Sequence, residues 1–261
     1  MKEEKKYKIL VLSDLNKSTG KTIKSSISIA KIVNADINFF YVKKPTEVVE
    51  KESQLSAMRT FNKEYFSIDK TIKGLITPIA KEYQININYS FTIGNLKNEI
   101  ENHINENKPD IIVLGKRKTK IVNFMRDNIT QFILKKYKGT IVITDDTNPL
   151  EPNKELSLGS LNQTKSKNVI IENILSSSKK PLTSFKILDS SSNLKDESFS
   201  KDKNTTEYVF EKGDNVVKNI STYLSKSSIN LLLVNRNHSN MTKSNIKEVI
   251  NNLNCSLILT T

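Results

Sequence analysis

Few of the 261 residues in this chain are of types that do chemistry. Cysteine occurs once, at Cys255, and histidine twice, at His103 and His238. That inventory excludes a zinc site built from the usual ligands. A single thiol forms no intrachain disulfide and fits a reducing compartment. A nucleophilic cysteine needs a poised base, and the spacing offers none. Cys255 begins an apolar run, His103 sits mid-helix on the helix surface, and His238 falls in a loop. Cys255 therefore reads as a small buried hydrophobe. Ser18-Thr19-Gly20-Lys21-Thr22 has the residue types that end a phosphate-binding loop, and it follows a strand-like run. The full signature needs glycine five positions before Gly20, where Leu15 stands. The plainer reading is a helix N-terminus in which Ser18 or Thr19 caps the exposed amides. Such a terminus still attracts anions.

The elements that would position these residues follow from periodicity. Lys8–Ser13 (KILVLS) is a short apolar run, as in a buried strand, with Asp14 at its C-terminal end. Thr22–Val33 carries Ile23, Ile27, Ile29, Ala30 and Ile32 at helical spacing. Asp36–Val42 (DINFFYV) is the next strand, and Pro45–Tyr83 reads as one or two helices. Ile85–Ile93 alternates with period two and ends at Gly94. Helix Leu96–Asn105, strand Asp110–Leu114 (DIIVL), helix Thr130–Tyr137 and strand Thr140–Thr144 (TIVIT) complete the series. Strands alternating with helices imply parallel crossovers. Continuous apolar strands imply cover on both faces. The first half is thus expected to be a doubly wound α/β domain with five strands. Its ligands would sit beyond the strands' C-terminal ends.

The grammar then repeats. Tyr89, Phe91 and Gly94 match Tyr208, Phe210 and Gly213, each 119 positions on, and TIVIT matches Ser256–Thr260 (SLILT). This argues for duplication, with domains at 1–147 and 155–261. The linker Asp145–Lys154 contains Asn148-Pro149 and Glu151-Pro152. The second copy would start at Glu155–Leu161, continue through a helix around Lys167–Ser176 and take Phe185–Leu188 as its second strand. The polar stretch Asp189–Asn204 replaces the long helical segment of the first copy and is expected to be a loop or disordered.

The hydrophobic share is 36% and the formal charge is +13, denser in the first half, with a cluster at Lys116, Arg117, Lys118, Lys120 and Arg126. No apolar run approaches the ~18 residues of a membrane span. The N-terminus, MKEEKKYKILVLSD, lacks the h-region of a signal peptide. The charge reads as a lysine-rich solvated surface, and nucleic-acid binding is not expected. Tyr89, Phe91, Tyr208 and Phe210 read as sheet packing rather than a base-stacking platform.

KILVLSD followed by a helix, then PDIIVLGKRK, a helix and TIVIT, resembles the universal stress protein family. The duplicated layout resembles its tandem members, over nearly the whole chain, with a weak and shortened second repeat. The resemblance implies two Rossmann-like or flavodoxin-like repeats of the adenine nucleotide alpha hydrolase-like type. Each would be a five-stranded, mostly parallel sheet with helices on both faces. It implies a pseudo-dimer whose last strands pair antiparallel, the two copies folding back to back as separate units. In nucleotide-binding members the first strand ends in an Asp, matched by Asp14. A Gly-x2-Gly-x9-Gly-Ser/Thr loop after the fourth strand wraps ATP phosphates. Here Gly115 keeps the first glycine, Lys118 takes the second, the third falls near Asp127 or Asn128, and Thr130 is the nearest hydroxyl. In the second repeat Asn235 replaces Gly115, and Asn162 lies near the Asp14 position.

The resemblance therefore implies a cytoplasmic stress-response protein of binding or regulatory type, without catalytic machinery. An adenine nucleotide (ATP) would sit against Asp14, Val42, Gly115, Lys116, Lys118 and Thr130. Two alternatives stand beside this: an ATP-cleaving enzyme of the related superfamily, and an interaction module with no ligand. Further pairing of whole chains into a homodimer stays open.

Overall fold

The computed structural model describes residues 6–45, 54–116, 129–162, 168–188, 205–211, 213, 215–236 and 243–260. In chain order they form β1 (Tyr7–Ser13), α1 (Thr19–Val33), β2 (Ala35–Lys43), α2 (Gln54–Tyr83), β3 (Ile87–Ile93), α3 (Leu96–Asn107), β4 (Ile111–Gly115), α4 (Ile129–Lys136) and β5 (Thr140–Thr144). The second half gives β6 (Leu158–Leu161), α5 (Val169–Ser177), β7 (Leu182–Leu188), β8 (Thr205–Glu211), α6 (Val216–Lys226), β9 (Leu231–Asn235), α7 (Lys243–Asn252) and β10 (Ser256–Thr260). The expected alternation of strands and helices is present. The stretch Asp189–Asn204 lies outside the described residues.

The strands make one ten-stranded sheet in the order β3-β2-β1-β4-β5-β10-β9-β6-β7-β8. Read outward from the middle, both halves have the same order. Neighbours run parallel except β5 and β10, which pair antiparallel through Ile141, Val142 and Ile143 opposite Leu259, Ile258 and Leu257. This corrects the expectation of two separate units back to back. The last strands do pair as expected, and that pairing is what makes the sheet continuous. Each would otherwise be an open edge of fully buried residues, TIVIT and SLILT.

Along β1, Ile9 and Val11 enter one core and Leu10 and Leu12 the other, because successive side chains point to opposite faces. One face is covered by α1, α2 and α5, which contribute Ile23, Ile27, Ile72, Ile171 and Ile174. The opposite face is covered by α3, α4, α6 and α7, through Ile100, Ile133, Ile220 and Val249. Local signals explain the helix ends. The Asn95 carboxamide accepts from the amides of Lys97 and Asn98 to start α3, and Asn34 closes α1 in a left-handed conformation at φ 53°. The inter-half segment is anchored rather than loose: Leu150 is buried, and its amide donates to Ser25 Oγ at 3.0 Å.

Sheet register revises one part of the repeat. Leu12 pairs with Phe40, and Leu161 with Phe185, so these are equivalent positions. Phe40 then faces Ser90, whereas Phe185 faces Tyr208. Tyr208 is therefore the counterpart of Ser90, not of Tyr89. A one-residue slip moves a strand's whole apolar set to the other face. Accordingly Tyr89 and Phe91 pack on the α2 side, and Tyr208 and Phe210 on the α6 side. The cause is cover. In the first half α2 presents Ile68, Ile72, Ile76 and Ile79 to the sheet. On that face the second half has α5, the counterpart of α1, but no described counterpart of α2, and Val209 of β8 is 55% exposed. Tyr208 and Phe210 instead pack against Tyr223 of α6, tilted at 5.1 Å and edge-on at 5.6 Å between ring centroids.

Phe185 is fully buried, whereas Phe66 is 72% exposed. Urea denaturation should show Phe185→Ala losing about 3–5 kcal/mol of stability and Phe66→Ala staying within about 0.5 kcal/mol.

Candidate functional site

Parallel strands place the ends of β1, β2 and β4 side by side on one rim of the first half. Asp14 follows β1 and is exposed. Val42 is buried near the end of β2, one strand away on one side. Gly115 ends β4, one strand away on the other. Thr130 is half-buried in the first turn of α4, the crossover that returns from this rim to β5. Lys118 lies outside the described residues. The structure thus places Asp14 directly after β1, whose two neighbouring strands carry Val42 and Gly115.

Lys116 is not part of that cluster. Its backbone amide donates to Thr144 O at 2.8 Å, but its side chain turns inward and is buried. The ammonium donates to the carbonyl of Leu253, just before β10, and lies 3.7 Å from Asp145 Oδ2. Its expected part as a phosphate-attracting side chain is therefore corrected. The charge is committed to the β5–β10 seam, where a buried cation needs acceptors.

Asp145 is the group that sequence reading missed. It follows β5 and is fully buried. Its Oδ1 accepts from the amides of Thr147 and Asn148 at 2.8 and 2.9 Å and from the Thr147 hydroxyl. Burial works against its charge, but the Thr147 hydroxyl, these two amides and Lys116 outweigh it and hold the carboxyl below its ordinary value. A signal was present in the pattern Asp-x-Thr-Asn, an Asx-type turn directly after a strand.

Residues 18–22 start α1, as the plainer reading expected, but the expected side-chain cap is not made by Ser18. Lys21 Nζ donates to Asp146 O at 2.8 Å, so its ammonium ties α1 to the segment after β5. Ser18 holds the cap position of α1 without a side-chain capping bond. Asn16 Oδ1 instead accepts from Ser18 N at 2.8 Å and Ser18 Oγ at 2.7 Å, while Thr19 Oγ1 lies 2.8 Å from Ser13 Oγ. Leu15, in the place of the missing glycine, is at φ 54°, a conformation costly for a side-chain-bearing residue.

Gly115 has a packing reason of its own. A Cβ there would meet Thr22 Oγ1 at 2.8 Å. In the second half the corresponding rim is stitched differently. Asn162, at φ 46°, donates its amide to Phe185 O at 2.9 Å and accepts from Ile187 N through Oδ1 at 2.7 Å. Ile187 is the register counterpart of Val42. The side chain of Asn162 thus engages the amide at that place. The same register sets Asn162 against Ser13, so the true counterpart of Asp14 is Gln163, outside the described residues.

Cys255 directly precedes β10 and is buried, and burial pushes its thiol up to about 12. His103 is not a plain surface residue. Its ring stacks 3.9 Å from Phe40, and burial lowers its pKa. His238 lies outside the described residues. Among the described residues no group of three or more His, Cys, Asp or Glu could hold a metal, and no helix is long and apolar enough to cross a membrane.

Three solved structures share this architecture end to end. A universal stress protein of Archaeoglobus fulgidus superposes with a TM-score of 0.64 at 13% identity, covering 97% of this chain and 96% of that one. A functionally unknown protein of Pseudomonas aeruginosa gives 0.58 at 10% identity, covering 97% and 92%. A candidate universal stress protein of the same species gives 0.58 at 11% identity, with the same coverage. This chain has the universal stress protein fold. No protein-family model and no curated protein matches the sequence. The likeness therefore lives in the three-dimensional arrangement. On the universal stress protein fold, the rim bearing Asp14, Val42 and Gly115 is the end of the sheet to which ligands of open α/β folds bind.

Two outcomes follow. Gly115→Ala should lose about 1–2 kcal/mol in thermal unfolding, with most of it regained in the Gly115→Ala/Thr22→Ala double variant. The depressed carboxyl of Asp145 binds a proton more readily in the unfolded chain. Its contribution is present above the ordinary carboxylate value near 3.8 and is lost as pH falls through the lower folded value. Asp145→Asn should cost about 3 kcal/mol at pH 7, and its stability should fall less steeply than that of the parent below pH 4. Urea midpoints measured across that range check both.

Proposed function

We propose that the chain is a tandem member of the universal stress protein family, with domains at 1–147 and 155–261 paired inside one chain as a pseudo-dimer. It would be a cytoplasmic stress-response protein of binding or regulatory type that takes an adenine nucleotide on the first domain's rim. The observation that carries this reading is the exposed carboxylate of Asp14 between Val42 and Gly115, where a base or ribose can approach strand ends without displacing core. Gly115 ends β4 on the neighbouring strand, with Thr22 packed where a side chain would stand. Thr130 and, by its place in the sequence, Lys118 are the candidates for phosphate, and Lys116 is not among them. The second rim, with Asn162 engaged at Ile187 N, is expected to take none.

A second reading has specific support. Gly115 is explained by Thr22, and Lys116 by the seam, so neither requires a nucleotide. On that reading the chain is an interaction module whose site has decayed. Thermal unfolding with and without ATP separates the two. Binding at 100 times the dissociation constant adds about 2.7 kcal/mol. The nucleotide reading expects a raised melting temperature that Asp14→Ala abolishes. No shift at millimolar ATP supports the module.

A further inference from the structure

The most unusual groups outside the rim are two cations at matching places. Lys116 is the first residue after β4, and Arg236 the first after β9. Their backbone amides make equivalent bonds, Lys116 N to Thr144 O at 2.8 Å and Arg236 N to Thr260 O at 2.7 Å. Each therefore leaves its own half at the same point, beside the last strand of that half. Each side chain then crosses to the other half. Lys116 Nζ donates to the carbonyl of Leu253, three residues before β10. Arg236 Nη1 donates to the carbonyl of Tyr137, three residues before β5, at 3.2 Å, and its Nη2 to Gly139 O at 2.7 Å. Leu253 and Tyr137 are themselves equivalent positions. The arrangement is a reciprocal exchange across the seam, carried by different residue types.

We propose that Lys116 and Arg236 form a reciprocal clasp that locks the two halves and links each rim to the opposite half. Backbone carbonyls before a strand are orphan acceptors where a turn replaces the ladder, and a charged donor is a strong partner for them. Each cation also roots the segment leaving its own rim, after β4 or after β9. A displacement of either root pulls on the turn that launches the last strand of the other half. The clasp is asymmetric. Lys116 has Asp145 at 3.7 Å in its own half. Arg236 bridges two carbonyls, with its Nε buried and without a hydrogen-bond partner. This proposal does not depend on nucleotide binding.

The test is amide hydrogen exchange on the full chain. Lys116→Met should raise exchange at Leu253 and Ser256, in the other half, about tenfold more than at Tyr137. Arg236→Met should do the reverse, with the larger rise at Tyr137. The cross-over is the signature, because a residue that merely stabilises its own half loosens its own half first. Should Lys116→Met fail to fold, Arg236→Met carries the same test from the less buried side. Exchange that rises mainly within the mutated residue's own half, or that stays at the parent level at both turns, overturns the clasp.

Discussion

The antiparallel pairing of β5 with β10 is the constraint from which the rest of this molecule follows. Both strands are short, wholly apolar in the middle and fully buried. Neither can be left as an edge. Satisfying one with the other joins two five-stranded sheets into ten strands, keeps α1 and α5 on one face, and points the two rims in opposite directions. A water-excluding seam also raises the stakes for every polar group near it. That is why the Lys116 ammonium, the Asp145 carboxylate and the Arg236 guanidinium are found there with directed acceptors or donors instead of facing solvent.

The seam also sorts the site. Three positions that chemistry-bearing types suggested, Asp14, Lys116 and Lys21, belong to one neighbourhood, but they divide by what surrounds them. Asp14 stays exposed because β1 ends on the outer rim. Lys116, one residue beyond the end of β4, is close enough to β10 that its long side chain finds a carbonyl in the interior. Lys21 is likewise drawn to Asp146 O. Positive charge in the sequence near a rim is thus no guide to charge in the rim, since a flexible lysine follows the nearest unsatisfied acceptor.

The legible parts of the fold were those carried by local pattern. Buried strands such as KILVLS and DIIVL announce themselves by continuous apolar residues, whereas the pairing of the two last strands came from the family resemblance and not from their pattern. The repeat itself was legible, but its register in β3 and β8 was not. Matching Tyr89 to Tyr208 by spacing ignored that α2 has no described counterpart in the second half, and that cover decides which way aromatics face. The candidate rim was legible through Asp14 and Gly115. The roles of Asp145 and Arg236 were not, because each depends on carbonyls and amides from segments far away in the chain. The stacking of His103 on Phe40 failed for the same reason: helix position says nothing of what the neighbouring strand offers.

The central claim is that neither half is complete without the other's last strand. Light scattering and circular dichroism on residues 1–154 alone test it directly. The account predicts that this fragment is either self-paired through β5 or unfolded. A monomeric fragment with native circular dichroism and the full chain's unfolding midpoint would contradict it.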